Sequence, residues 1–232
     1  MIDTTMDNPN PYDIPIIVIC FNNYYFVKNF VNQIKKYKNP IILLDNNSRY
    51  KKLLDYYKEI KNDLGDKIDI RLLEQNYGHR VYLTLKNELP NIYILSDPDL
   101  ELHENMPENF ADILLNISNN HKRYKVGCAL NIEKNDLFFT DIFYKDEQRY
   151  WINRIDDAEY QLYDASIDTT FCLVNNNYFN NSEYHGIRVS GNFIAEHLPW
   201  YTNYIINNIS QEEINIWKKN NISSTILRFL KL

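Results

Sequence analysis

The chain has 232 residues, of which 44 % are hydrophobic and 24 % charged, and its formal net charge is −6. This length and apolar content suit one domain with a real core, so we expect residues 1–232 to fold as a single domain. The acidic balance argues against a nucleic acid or an anionic membrane surface as the main partner, because both favour basic proteins.

The cysteines and the apolar runs indicate in which cellular compartment the protein is expected. Cys20, Cys128 and Cys172 are far apart and show no metal-binding spacing, which is typical of a reducing compartment. The N-terminal segment has no apolar signal region. The longest apolar run, 14–21, is too short to span a bilayer. We therefore expect a cytoplasmic protein without a transmembrane segment.

Strand and helix patterns alternate over the first part of the chain. A β-branched run at 15–20 predicts a buried strand, and the spacing of apolar residues from Phe26 to Tyr37 predicts an amphipathic helix. The further elements expected here are strands at 41–44 and 67–73, helices at 51–60 and 78–88, and a strand from Ile92 to Asp97. This alternation predicts parallel strands joined by helical crossovers.

The second part of the chain is less regular. Pro107 favours the first turn of a helix, and the capping-box string at 210–213 begins another one. Strands are expected at 124–130 and 169–174, and the aromatic segment 137–144 fits either a strand or a lid. The expected fold class is α/β, with a mostly parallel central sheet flanked by helices and a smaller mixed C-terminal region.

Two aspartates, Asp97 and Asp99, end the fourth predicted strand. Residues i and i+2 of an extended chain point the same way, and Pro98 between them stiffens the bend. Paired oxygen ligands suit Mg²⁺ or Mn²⁺ that also holds phosphates. Asp45 ends another predicted strand, and parallel sheets bind ligands at such ends. The alternative is an ordinary Asp-Pro turn, with Asp45 capping its own loop.

Three motifs together carry a family resemblance. The strand ending in Asp97-Pro98-Asp99, the string Asp-Thr-Thr-Phe at 168–171 and the string His-Leu-Pro-Trp-Tyr at 197–201 resemble glycosyltransferases of the GT-A fold, in the style of family 2. The resemblance implies a GT-A (Rossmann-like) domain that moves a sugar from a nucleoside-diphosphate sugar to a hydroxyl acceptor. It also implies a nucleotide-sugar-binding half at 15–100 and an acceptor-binding half at 101–232.

The resemblance implies a donor site and a metal site. The expected donor-binding residues are Phe21, Asn22, Asn23, Asp45, Asn47, Gly78, His79, Arg80 and Asp97. The expected metal ligands are Asp97, Asp99 and His197. A neutral imidazole among carboxylates favours Mn²⁺ over Mg²⁺.

The resemblance also implies a catalytic base and an acceptor site. Asp168 is the expected base of an inverting transfer, although an isoleucine precedes it where the family has a glutamate. The acceptor side is expected to use Thr169, Arg188, Trp200 and Tyr201. Most of these residues also have an ordinary structural interpretation: Asp168 as a local cap, His197 as a histidine bound to a carbonyl, Arg188 as a solvated or ion-paired side chain, and the aromatic pair as packing.

The leading functional hypothesis is a hexosyltransferase or a related transferase that uses a UDP-sugar and a carbohydrate or other hydroxyl acceptor. One alternative is a sugar nucleotidyltransferase. Such enzymes carry a glycine-rich loop after the first strand, whereas this chain has no glycine at 21–24. A further alternative is a domain that binds nucleotide sugars or glycans without turnover.

Overall fold

In the part of the chain that the structure describes, a single mixed sheet of ten strands organises the fold. The structure is a computed structural model that describes residues 9–132, 140–180 and 182–220. The strands are β1 (Ile16–Cys20), β2 (Ile41–Asp45), β3 (Ile68–Leu72), β4 (Ile92–Ser96), β5 (Leu100–Leu102), β6 (Lys125–Leu130), β7 (Arg154–Ile155), β8 (Leu162–Asp164), β9 (Cys172–Asn175) and β10 (Gly186–His197). The α-helices are α1 (Tyr24–Ile34), α2 (Lys51–Leu64), α3 (Val81–Thr84), α4 (Phe110–His121), α5 (Thr140–Gln148), α6 (Thr202–Asn208) and α7 (Gln211–Asn220).

The first four strands form the parallel part of the sheet. Their spatial order is β3-β2-β1-β4, and Ile16 of β1 pairs with Ile41 of β2 on one side and with Ile94 of β4 on the other. The helices α1 and α2 are the crossovers between consecutive strands. The prediction of an α/β fold with a largely parallel sheet in this half is confirmed.

The other half of the sheet is mixed. Beyond β4 the order continues as β9-β6-β10-β8-β7, with β9 antiparallel to both of its neighbours and β6 parallel to β10. β5 pairs antiparallel with the far end of β10, so that Leu100 lies opposite His197. This pairing brings the segment after β4 against the C-terminal end of β10.

Apolar side chains on both faces of the sheet explain why its central strands read as continuous hydrophobic runs. All five residues of β1 are buried, as are all five of β4. On one face α1 packs with the side chains of Phe30 and Val31, and the other face holds Tyr82 and Tyr93. The sheet is therefore covered on both sides, and its polar strand ends are left to form a site.

β6 and β9 approach each other unusually closely at Gly127. A Cβ placed on this glycine would lie 2.3 Å from the Cβ of Cys172. Only a residue without a side chain fits at this crossing point, so Gly127 permits the close antiparallel pairing of the two strands.

Two sequence expectations differ from the structure, and one strand was not predicted. The predicted helix at 78–88 is a 3-10 turn at Gly78–Arg80 followed by the single turn of α3. The segment 140–144 lies in α5, so the strand interpretation is wrong there, and 137–139 lie outside the described residues. The strand β10 was missed because a bulge between Val189 and Ile194 breaks its alternation.

None of the described helices is both long and apolar enough to cross a membrane.

Candidate functional site

A cavity of about 510 Å³ opens where β1 and β4 end, between these strands, β10 and α5. It gathers residues that are distant along the chain. The predicted site residues that line it are Phe21, Asn23, Gly78, His79, Asp97, Asp99, Asp168, Thr169, Arg188, His197 and Trp200. The Asp97/Asp99 pair, Asp168 and His197 therefore line the same cavity.

Asp97 is fixed by the neighbouring segment. Its backbone N–H donates to the carbonyl of Thr169 at 2.9 Å, and the Thr169 hydroxyl donates to the Asp97 carboxylate. Burial raises the pKa of Asp97 well above its usual value, and the nearby carboxylate of Asp99 raises it further, while the Thr169 hydrogen bond and the charge of Lys125 act in the opposite direction. The two neighbouring carboxylates thus concentrate negative charge beside one cavity, and a bound cation would offset that charge.

Asp99 and His197 meet through strand pairing. The Nε2 atom of His197 lies 3.5 Å from Oδ2 of Asp99, and the backbone N–H of Leu198 donates to the carbonyl of Asp99 at 2.9 Å. Burial lowers the pKa of His197, and the charge of Asp99 only partly opposes this. The imidazole therefore favours its neutral form, which is the form that binds metals.

The ligand types of this pair, a carboxylate and an imidazole, suit a divalent cation. Oδ1 of Asp99 and Nδ1 of His197 are buried without a hydrogen-bond partner among the described residues. Such unpaired buried atoms are costly unless a ligand satisfies them. In the described part of the chain no cluster of three His, Cys, Asp or Glu side chains is arranged to hold a metal. The protein thus offers a partial set of ligands, which is typical of sites that Mg²⁺ or Mn²⁺ completes with phosphate and water.

Asp168 lies on the segment between β8 and β9. Its side chain is exposed and lines the cavity, whereas its carbonyl points inward and accepts a hydrogen bond from Lys125 Nζ at 2.6 Å. The Asp168 carboxylate is therefore accessible from the cavity.

The other wall of the cavity comes from α5 and the turns beside it. The guanidinium of Arg188 is 5 % exposed, is ion-paired with Glu147 of α5 and stacks over the Tyr150 ring with Cζ 4.1 Å from the ring centroid. Burial lowers the pKa of Arg188 and raises that of Glu147, and the mutual attraction of the pair opposes both shifts.

The Phe143 ring stacks on Trp200 with centroids 5.2 Å apart. Of the four residues predicted for the acceptor side, Arg188 and Trp200 therefore belong to this wall of aromatic rings around a buried ion pair.

The opposite end of the cavity is built from turns. Gly78 has φ +72°, a conformation that side chains disfavour, and its carbonyl accepts a hydrogen bond from the Asn46 amide at 3.2 Å. The carbonyl oxygen of the same amide accepts from Tyr77 N–H. Asn46 therefore ties this turn to the end of β2, with His79 and Phe21 nearby on the cavity surface.

Two predicted donor residues lie beneath the cavity instead of on its surface. Asp45 is fully buried, and its carboxylate accepts hydrogen bonds from Ser48 N–H at 2.6 Å and from Tyr57 OH at 2.7 Å. The Asn22 amide oxygen accepts from the backbone at 49 and 50, and its own carbonyl accepts from Trp217 Nε1 at 3.0 Å. In this structure both side chains hold the loops that follow β1 and β2.

Three further predicted residues also lie away from the cavity. Asn47 donates its amide to a backbone carbonyl at 2.9 Å. Arg80 is ion-paired with Glu183 and exposed. Tyr201 is buried, and its hydroxyl donates to the carbonyl of Asn131 at 3.3 Å.

Sequence reasoning missed several residues of the cavity. α5 and the turn after it supply Phe143, Asp146, Glu147, Arg149 and Tyr150. The only signal for them was the lid interpretation of 137–144. Lys125, which does not line the cavity but donates to the Asp168 carbonyl, was also missed, because a lysine at the start of a strand looks like an ordinary exposed residue.

Comparisons by sequence found no relative. No protein-family model matches the chain. No curated protein matches it either.

Solved structures do match it. They include the mannosyltransferase PcManGT from Pyrobaculum calidifontis in complex with GDP-Man and Mn²⁺ (12 % identity, TM-score 0.49, 91 % of this chain and 62 % of that one) and S. aureus TarS (15 % identity, TM-score 0.39, 51 % and 22 %). A further match is GalNAc-T7 with UDP, GalNAc and Mn²⁺ (11 % identity, TM-score 0.57, 89 % and 48 %).

This chain spans less than two thirds of the length of each of these proteins. With TM-scores below 0.5, the first two likenesses support no structural conclusion. The likeness to GalNAc-T7 covers most of this chain, and at 11 % identity it concerns the fold alone. The chain therefore has the GT-A fold, as the sequence motifs predicted.

Proposed function

We propose that this protein is a divalent-metal-dependent glycosyltransferase. It moves a sugar from a nucleoside-diphosphate sugar, with UDP favoured, to a hydroxyl of a carbohydrate or another acceptor. The observation that carries the proposal is the convergence of Asp97, Asp99, Asp168 and His197 on one cavity. These residues come from three separate parts of the chain, and they combine a partial cation site with a free carboxylate.

In this proposal Asp99 and His197 hold Mn²⁺ or Mg²⁺, and Asp97 contacts the cation through water or contacts the ribose. The unpaired Asp99 Oδ1 and His197 Nδ1 support these assignments. When bound, the cation neutralises the charge that develops on the leaving diphosphate. Thr169 keeps the Asp97 carboxylate turned toward the cavity through its hydroxyl.

Asp168 is the proposed base of an inverting transfer. Its exposed carboxylate would accept the proton of the acceptor hydroxyl as that oxygen attacks the sugar carbon. A positioned base of this kind contributes about 10²–10⁴-fold to the rate. Its position beside Asp97 and across from the α5 wall supports the assignment, because both substrates must meet between these groups.

The two ends of the cavity are assigned to the two substrates. We assign the nucleotide to the end with Phe21, Asn23, Gly78 and His79, where exposed turns and a ring offer stacking and polar contacts. The acceptor is assigned to the wall formed with Trp200, whose aromatic surface suits the apolar face of a sugar.

A ligand screen tests the proposal. Thermal unfolding is measured with UDP, GDP, CMP and their sugars, each with and without Mn²⁺, and nucleotide release is then followed for any donor that binds. A ligand at about 100 times its Kd stabilises the fold by roughly 2.7 kcal/mol, an effect that is easily measured. We expect Mn²⁺-dependent stabilisation and slow nucleotide release. Binding without release would indicate a domain that has lost turnover. A further arm of the screen uses a nucleoside triphosphate with a sugar phosphate, and stabilisation by that pair would instead favour a nucleotidyltransferase.

A further inference from the structure

Lys125 is a fully buried lysine at the first position of β6. No described carboxylate lies within 4.0 Å of its Nζ atom. Moving an ammonium group out of water costs several kcal/mol unless other groups replace the lost hydration. A methionine would fill the same apolar space without this cost, so the charge at this position calls for an explanation.

The groups that replace the water are backbone carbonyls, a hydroxyl and aromatic rings. Nζ donates to the carbonyl of Asp168 at 2.6 Å and lies 3.4 Å from that of Ile167 and 3.3 Å from the Tyr82 hydroxyl. It also lies 5.0 Å from the ring centroid of Tyr82 and 5.9 Å from that of Tyr184. Charge-assisted hydrogen bonds and cation–π contacts of this kind are strong in a dry environment.

The carbonyls belong to the segment that carries the candidate base. This segment is tied at both ends, since Ile167 N–H donates to the carbonyl of Tyr184 at 2.8 Å and the Thr169 carbonyl accepts from Asp97 N–H at 2.9 Å. Between these two ties, Lys125 draws the Asp168 carbonyl inward while the Asp168 side chain lines the cavity. The ammonium is thus the only described side-chain group that holds the carbonyl of Asp168.

We propose that Lys125 is a positioning residue for sugar transfer, which holds the 167–169 segment so that the Asp168 carboxylate faces the acceptor. The proposal rests on the proposed function, because it takes the Asp168 carboxylate to be the base of the transfer. Lys125 itself does not line the cavity. Its effect on the rate is therefore expected to pass through Asp168.

The first test needs no activity. Backbone hydrogen exchange is measured on the full chain for wild type, Lys125→Met and Lys125→Gln. We expect exchange in the peptides that contain Ile167 and Asp97 to accelerate by about tenfold or more in both variants, with β1 and β2 unchanged. The matched control is Lys67→Met, because Lys67 also donates to a backbone carbonyl, that of Lys35 at 2.6 Å, but far from the cavity. This control should leave both site peptides unchanged.

The second test is a double-mutant cycle on the release of UDP from UDP-glucose with Mn²⁺. Lys125→Met is expected to lower kcat by about 10–100-fold, while the Kd for UDP with Mn²⁺ changes by less than about threefold. In the Asp168→Asn background the same change should have little further effect, because its influence passes through a carboxylate that is already removed.

The outcomes separate this inference from the proposed function. Wild-type exchange at 166–169 in both Lys125 variants, or multiplicative losses in the cycle, would overturn the role of Lys125 while an active wild type keeps the transferase proposal. Failure of both variants to fold, judged by circular dichroism, would also overturn it by assigning Lys125 to folding. An inactive wild type would overturn the proposed function, and the exchange data would still decide whether Lys125 holds the segment.

Discussion

The Asp99 carboxylate and the His197 imidazole lie 3.5 Å apart because β5 and β10 pair antiparallel, with Leu100 opposite His197. Strand pairing, rather than a loop, sets this distance. The backbone hydrogen bond from Leu198 N–H to the Asp99 carbonyl continues the pairing past the strand ends. The two side chains are therefore positioned before any ligand arrives, which limits the cost of ordering them on binding.

Asp99→Asn should abolish most of the metal-dependent affinity for UDP. The substitution preserves shape but removes the negative charge that a divalent cation requires. We expect the Kd for UDP in the presence of Mn²⁺ to rise by at least about tenfold, or about 1.4 kcal/mol, as measured by titration calorimetry. The matched control is Asp69→Asn, which removes an exposed carboxylate paired with Arg71 on β3. An unchanged Mn²⁺ dependence in the Asp99 variant would exclude it as a ligand.

Glu213 is expected to make the stability of the fold depend on pH. Its carboxylate accepts a hydrogen bond from Tyr25 N–H at 2.9 Å, and burial raises its pKa to about 7, from the ordinary 4.5. Between pH 4.5 and 7 the folded state therefore binds more protons than the unfolded state, so stability falls as the pH rises through this window. The loss attributable to this group is about 3 kcal/mol and is complete above pH 7.

Urea unfolding at pH 5 and pH 8 tests this expectation. Glu213→Gln keeps an acceptor for Tyr25 N–H and cannot ionise, so this variant should lose much less stability between the two pH values and should exceed the wild type at pH 8. Glu212→Gln is the matched control because Glu212 is its exposed neighbour on α7. Parallel pH profiles for wild type and Glu213→Gln would contradict the assignment.

The Arg188–Glu147 ion pair should be strongly coupled. Both side chains are about 95 % buried, so removing one charge leaves the other without a partner in a dry environment. Glu147→Gln is expected to cost about 3–5 kcal/mol in urea unfolding. The double variant Glu147→Met/Arg188→Met should be more stable than Glu147→Gln. Asp55→Asn, at an exposed pair with Lys51, should have no measurable effect. A double variant no more stable than Glu147→Gln would refute the coupling.

Gly127→Ala should be among the most damaging small substitutions. The added Cβ would overlap backbone and side-chain atoms of Cys172, so β6 and β9 would have to separate. We expect a loss of about 3 kcal/mol or more in urea unfolding. Gly78→Ala is the matched control: its Cβ would meet open space, and the strain of a positive φ costs about 1 kcal/mol. Equal losses in the two variants would argue against the close approach.

The parallel half of the fold was predictable because its signals are local. The run from Ile16 to Cys20 is continuously apolar and the stripe from Phe26 to Ile34 follows the helical period, and each forms the expected element. Prediction was poorer where tertiary contacts compete with local pattern. β10 carries a bulge that interrupts its alternation. Where a helix was predicted at 78–88, the structure has only a single turn of α-helix after the tight turn at Gly78.

The sequence by itself determined the order of strands and helices in the first half, the Asp97/Asp99 pair at a strand end and, through its motifs, the GT-A fold. These features depend on hydrophobic period and on residues close together along the chain. Only the tertiary structure decided that Asp45 is buried, that Glu147 neutralises Arg188 and that Lys125 reaches the carbonyl of Asp168. Burial and hydrogen bonding depend on which distant segments pack together, and no local pattern encodes that arrangement.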